Sequence, residues 1–154
     1  MSFDLSAITR TGGLFGPQRI LIYGVQGLGK TTFGCSFEAP ILLRTEDGAG
    51  ALDVATFPTI AASYQDICDA IQALHGEHPF RTLVLDSLDW LEPLVLAKTC
   101  GDLGIEHIED AAYGKGYVTA DDNWRFIMGG LDSLRHNRGM TVVVIAHSEI
   151  RTHT

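Results

Sequence analysis

The chain has 154 residues and a mass of 16.7 kDa, with 45% hydrophobic and 19% charged residues, the size and balance of one globular domain with its own core. A net charge of -8 and a pI near 5.0 exclude a protein that coats duplex DNA through bulk positive charge, and a mean hydropathy of +0.13 excludes a disordered acidic tail. Cys35, Cys68 and Cys100 stand far apart, with no CxxC and no Cys/His cluster at zinc spacing, so a reduced, cytoplasmic setting is expected. MSFDLSAITR lacks the basic start and apolar stretch of a secretory leader, and no apolar run approaches the roughly 18 residues that span a bilayer.

In chain order, residues 1–18 read as a flexible lead-in with glycines at 12, 13 and 16. Ile20–Tyr23 is a short apolar run, as in a strand buried on both faces. A helix is expected over Lys30–Glu38, stopped by Pro40, followed by a buried strand at Ile41–Leu43 and a weaker strand near Phe57–Ala61. Ser63 opens a helix with Tyr64, Ile67, Cys68, Ile71 and Leu74 on one face. Thr82–Leu85 reads as a strand and Leu88–Lys98 as a helix with Leu88, Leu91, Leu94 and Val95 inward. Residues 101–120 are Gly-rich and read as irregular. Asp121 or Asp122 is expected to cap a helix carrying Trp124, Ile127, Met128, Leu131 and Leu134, and Thr141–Ala146 forms a last, β-branched strand. Strand–helix alternation with two-sided apolar strands predicts an α/β fold of three layers, α/β/α, around a mostly parallel sheet. Ligands of such sheets bind beyond the carboxyl ends of the strands.

The glycine count, 17 of 154, is high, and part of the excess has a chemical use. After the first strand comes Gly24-Val25-Gln26-Gly27-Leu28-Gly29-Lys30-Thr31-Thr32, a full match to GxxxxGK[ST] between a strand and a helix. Glycines let the backbone form a nest of inward N–H groups, and the helix start adds its positive dipole end. Gly24 to Thr32 are therefore the candidate nucleotide-binding residues. Lys30 would meet the β- and γ-phosphates, and the Thr31 hydroxyl would meet Mg²⁺.

The other strand ends carry acids and a histidine. Thr82–Leu85 runs into Asp86, placed as the carboxylate that holds Mg²⁺ in a phosphate-loop NTPase. Ile41–Leu43 leads to Arg44-Thr45-Glu46-Asp47, where Glu46 is the candidate to orient and polarise water, with Asp47 as fallback. The strand at Thr141–Ala146 ends in His147, placed to report the γ-phosphate. Asp47-Gly48-Ala49-Gly50 reads DxxG, yet no NKxD follows a later strand, so guanine selection lacks support.

In order and spacing, GVQGLGKTT, ILLRTEDG, TLVLDSLD and VVVIAHS resemble the RecA-like ATPases, and more closely the phage-encoded minimal RecA-like nucleotide-binding proteins of single-strand annealing and recombination. The segment Tyr113–Tyr117 (YGKGY) is also similar to that group. The resemblance implies ATP and Mg²⁺ as cofactors and Lys30, Glu46 and His147 as catalytic residues, with Thr31 and Asp86 on the metal. It implies one ATP-binding domain over 19–154, with the family's further strands beyond Thr154. It implies a DNA loop within about Glu106–Ala120, where Tyr113, Lys115 and Tyr117 would meet single-stranded DNA by stacking and charge. It also implies a homo-oligomer, in which Arg125, Arg135, Arg138 or Arg151 of a neighbour completes the site. The alternatives are a truncated nucleotide-binding protein without turnover and a small-molecule phosphate-loop kinase, which would need an Arg-rich lid.

Overall fold

The computed structural model describes residues 4–10, 16–48 and 50–149. Within them lie five strands: β1 (Arg19–Gly24), β2 (Pro40–Arg44), β3 (Ala55–Thr56), β4 (Thr82–Asp86) and β5 (Thr141–His147). Four α-helices lie among them: α1 (Lys30–Gly34) after β1, α2 (Tyr64–Ala73) after β3, and α3 (Leu88–Leu103) and α4 (Lys115–Arg138) between β4 and β5. The strands form one parallel sheet in the order β1-β5-β4-β2-β3. Alternation along the strands divides the core in two. Leu83, Leu85, Val142 and Val144 face α2, α3 and α4 and pack on Ile67, Leu91, Val95, Ile127 and Leu131. Leu42, Val84, Val143 and Ile145 face the other way, with Ile20, Ile22, Cys35 and Phe37 against them. This is the expected three-layer α/β/α arrangement.

Several boundaries differ from the sequence expectation, each for a local reason. Helix α1 ends at Gly34 rather than Glu38, because the Ser36 amide and hydroxyl both turn back to the Phe33 carbonyl, at 3.1 and 2.7 Å. The weak strand lies at Ala55–Thr56 instead of 57–61. Its ladder closes with the Phe57 amide on the Leu42 carbonyl, since Pro58 has no N–H to continue it. Helix α3 runs on past Lys98 to Leu103 and stops where Gly104 takes the left-handed conformation at φ 64°.

The largest correction concerns residues 101–120. They hold the end of α3, two short 3-10 turns (Ile108–Asp110 and Ala112–Gly114) and the first turns of α4. Helix α4 begins at Lys115, behind Gly114 at φ 71°, and Asp121 and Asp122 lie inside it instead of capping it. Gly116 explains why the helix starts early. It is buried, and a Cβ there would stand 2.5 Å from the Ile108 carbonyl oxygen, so only glycine lets the helix approach the preceding turn. Gly116→Ala is accordingly expected to destabilise the fold by about 1–3 kcal/mol, the usual scale of overpacking. Urea unfolding checks this, and an unchanged midpoint would contradict the close approach.

Candidate nucleotide site

The carboxyl ends of the strands converge on one cleft of about 540 Å³, lined by Gln26, Gly27, Gly29, Lys30, Thr31, Thr32, Glu46, Gly48, Ala51, Leu52, Asp86 and His147. Parallel register brings them there: Gly24 lies beside His147, and Arg44 beside Asp86, across neighbouring strands. Because β5 is inserted between β1 and β4, His147 stands between the phosphate loop and Asp86.

The loop has the backbone its sequence demands. Gly27 and Gly29 sit at φ 85° and 81°, which L side chains rarely adopt, and Gly29 caps α1 with no side-chain help. The Lys30 side chain is buried, and its ammonium donates to the Gly24 and Val25 carbonyls at 2.8 and 2.7 Å. A phosphate would exchange these neutral acceptors for charged ones, which hold an ammonium more strongly. Gln26, Gly27, Gly29 and Thr32 line the cleft, while Leu28 points outward and is exposed.

Thr31 Oγ1 donates to Asp86 Oδ2 at 2.5 Å, joining the start of α1 to the end of β4. A hydroxyl and a carboxylate this close suit a hard, oxygen-seeking cation that keeps several waters, which is the habit of Mg²⁺. Glu46, Asp86 and His147 each present a ligand atom within 4.8 Å of the others, so the carboxylate of Glu46 borders the same point. Asp86→Asn and Thr31→Ala should each raise the Mg²⁺ concentration at half-maximal turnover at least about tenfold, while Thr31→Ser keeps the hydroxyl and stays near wild type. A magnesium titration of turnover reads this, and an unmoved midpoint for Asp86→Asn would remove that residue from the metal.

Glu46 is held from the side. The Ser87 hydroxyl donates to its Oε1 at 2.9 Å. Ser87 is itself fixed by Thr45, whose Oγ1 accepts from the Ser87 amide at 2.7 Å and donates to the Ser87 carbonyl at 2.8 Å. The Asp86–Ser87 peptide bond is cis. His147 Nδ1 lies 3.7 Å from Glu46 Oε1 and 3.1 Å from Asp89 Oδ2. Asp47 stays at the surface, 3.9 Å from Arg44. Burial tends to raise the Asp89 carboxyl, but the His147 amide, the Asp89 backbone and the His147 ring together hold it below the usual carboxylate range. Burial, and then the charge of Asp86, pushes the Cys35 thiol up, so it stays a neutral neighbour of the site.

Sequence reasoning did not single out Thr45, Ser87 or Asp89. The available signal was the spacing in Leu85-Asp86-Ser87-Leu88-Asp89, where two carboxylates three apart straddle a strand end and a first helical turn.

The remaining candidates lie elsewhere. Tyr113 is fully exposed at φ 56°, Tyr117 is exposed with its hydroxyl donating to Glu109 Oε1 at 3.5 Å, and Lys115 opens α4. Arg125 pairs with Asp121 at 2.8 Å, and Arg135 is held by Asp132 and the Pro17 carbonyl. Arg138 is in the last turn of α4, and Arg151 lies outside the described residues. No helix among the described residues is long and apolar enough to cross a membrane.

A phosphate nest at a helix start, a hydroxyl–carboxylate pair beside it and a carboxylate at the next strand end define a nucleoside-triphosphate site of the phosphate-loop class. Comparison with protein families agrees: the AAA domain family matches residues 16–154, and the chain belongs to that family. It therefore carries an AAA-type, nucleotide-binding ATPase domain. No curated protein matches the chain.

Proposed function

We propose that the protein is a Mg²⁺-dependent, RecA-like ATPase that acts on single-stranded DNA as a homo-oligomer, in phage recombination or strand annealing. The observation that carries the hydrolytic reading is the convergence of Glu46, Asp86 and His147 at the mouth of the phosphate-loop cleft, with Glu46 pinned by Ser87. A fixed carboxylate beside the γ-phosphate position suits activation of water. Lys30 would bind the β- and γ-phosphates, the loop amides of Gly24 to Thr32 would cradle them, and Thr31 and Asp86 would hold the cation. When bound, Mg²⁺ neutralises charge that builds on the phosphate oxygens. Glu46 would orient the attacking water and accept its proton, and His147 would donate to or sense the γ-phosphate.

Two observations support the partners. Among the described residues lining the cleft, Lys30 is the one permanent cation, so a neighbouring copy has a charge to add. Tyr113, Lys115 and Tyr117 form an exposed aromatic and basic group on an otherwise acidic chain, the composition that stacks on unpaired bases. Phosphate release from ATP, measured with and without single-stranded DNA for the wild type and Tyr113→Ala/Tyr117→Ala, tests the reading. Stimulation by DNA that the double variant loses is the expected result. Equal rates with and without DNA would contradict the DNA role, and transfer to a nucleoside instead of water would make the protein a kinase.

A further inference from the structure

The carboxylate of Asp89 lies in the first turn of α3 and makes two contacts with one residue of β5. Its Oδ2 accepts from the His147 amide at 2.7 Å and meets His147 Nδ1 at 3.1 Å. An ionised carboxylate can only accept, so Nδ1 is the protonated nitrogen and Nε2 is left to face another partner. Glu46 Oε1 is the competing acceptor, 3.7 Å from the same Nδ1. The segment that carries Asp89 makes two further links in the site. Asp86, Ser87 and Asp89 belong to one short segment, and they bind Thr31, Glu46 and His147 respectively. His147 and Asp89 also form part of a second cavity of about 460 Å³, with Trp90, Pro93, Ser148 and Glu149. Among the described residues, His147 alone is shared between that cavity and the nucleotide cleft.

We infer that Asp89 is a positioning residue: it locks His147 in the Nδ1–H form, with that hydrogen on Asp89 instead of Glu46, so that Nε2 serves the γ-phosphate and Glu46 stays free for water. This rests on the proposed ATPase reading for its consequence, but the tautomer itself is a property of the free protein. Because a single oxygen takes both donors, an asparagine with its amide oxygen at that point keeps both hydrogen bonds, whereas alanine keeps neither.

Two measurements decide it. The first is long-range ¹⁵N–¹H correlation spectroscopy of the wild-type imidazoles, with the His147 signal assigned by its loss in His147→Gln. The Nδ1–H form is expected for wild type, with a shift toward the Nε2–H form in Asp89→Ala. An Nε2–H form in the wild type would overturn the inference, and this reading requires no turnover. The second is steady-state kinetics. Asp89→Ala is expected to lower kcat about tenfold with KM for ATP within about twofold, a loss on the scale of one misplaced catalytic group. Asp89→Asn should restore most of that loss. Asp89→Ala in a His147→Ala background should cost nothing further, because the two act as one unit. An additional tenfold loss in that background, or a kcat for Asp89→Ala equal to wild type, would show that Asp89 does not act through His147. If the wild type releases no phosphate at all, the ATPase reading fails while the tautomer still decides this inference.

Discussion

Lys30→Ala is expected to lower kcat/KM for ATP at least about a thousandfold. The ammonium is buried, and its contacts in the free protein are two loop carbonyls. Removing it therefore deletes a charge aimed at the phosphates and leaves the Gly24 and Val25 carbonyls without that donor. Electrostatic groups fixed against developing charge are commonly worth about 2.7–4 kcal/mol each, and this one also contributes to ground-state binding. Two readouts separate the terms. Nucleotide affinity, from titration calorimetry, should fall, and residual turnover at saturating ATP should fall further. Lys30→Arg should not rescue, since a planar fork cannot follow the short path of a point charge within a closed nest. Wild-type affinity in Lys30→Ala would contradict the placement of the phosphates in this loop.

Glu46→Gln is the second large effect, and it separates binding from chemistry. The amide keeps the size of the carboxylate and can still accept from the Ser87 hydroxyl, so the local packing should survive. It cannot take a proton from water. General-base catalysis contributes typically about 10²–10⁴-fold, so turnover should fall by at least about 100-fold while ATP affinity stays within about threefold of wild type. Quench-flow detection of phosphate alongside equilibrium binding checks both halves. A variant that hydrolyses normally would move the role of base away from Glu46. One that loses binding in parallel would make Glu46 a ligand-holding residue instead.

Much of this site was legible in the sequence because its parts are local. The phosphate loop is nine consecutive residues whose glycines, lysine and hydroxyls carry the chemistry at fixed spacing. The strand ends were legible too, since β4 and β5 are apolar on both faces and the polarity break after each marks where a parallel sheet places its ligands. The order of strands was not legible. That β5 lies between β1 and β4 is a long-range choice, and it alone sets His147 beside Glu46 and Asp86. Ser87 and Asp89 escaped notice for the same reason, because each takes its meaning from a residue 41 and 58 positions away. The start of α4 was misread for a different reason. Lys115-Gly116-Tyr117-Val118-Thr119 has weak helix propensity, and the helix persists there through packing on Ile108. Gly114 and Gly116, which lie in the segment where a DNA loop is expected from the resemblance, serve as a left-handed helix cap and a packing contact. Tyr113 and Tyr117 beside them are exposed.

On the proposed reading the converging strand ends hydrolyse ATP. The most direct measurement of this is phosphate release by the wild-type chain from ATP and Mg²⁺ with single-stranded DNA present, set against the same mixture with EDTA and against Glu46→Gln. Steady release that EDTA abolishes and the variant lowers by about 100-fold is the expected result. Tight ATP binding by the wild type, with release no faster than in Glu46→Gln, would contradict it.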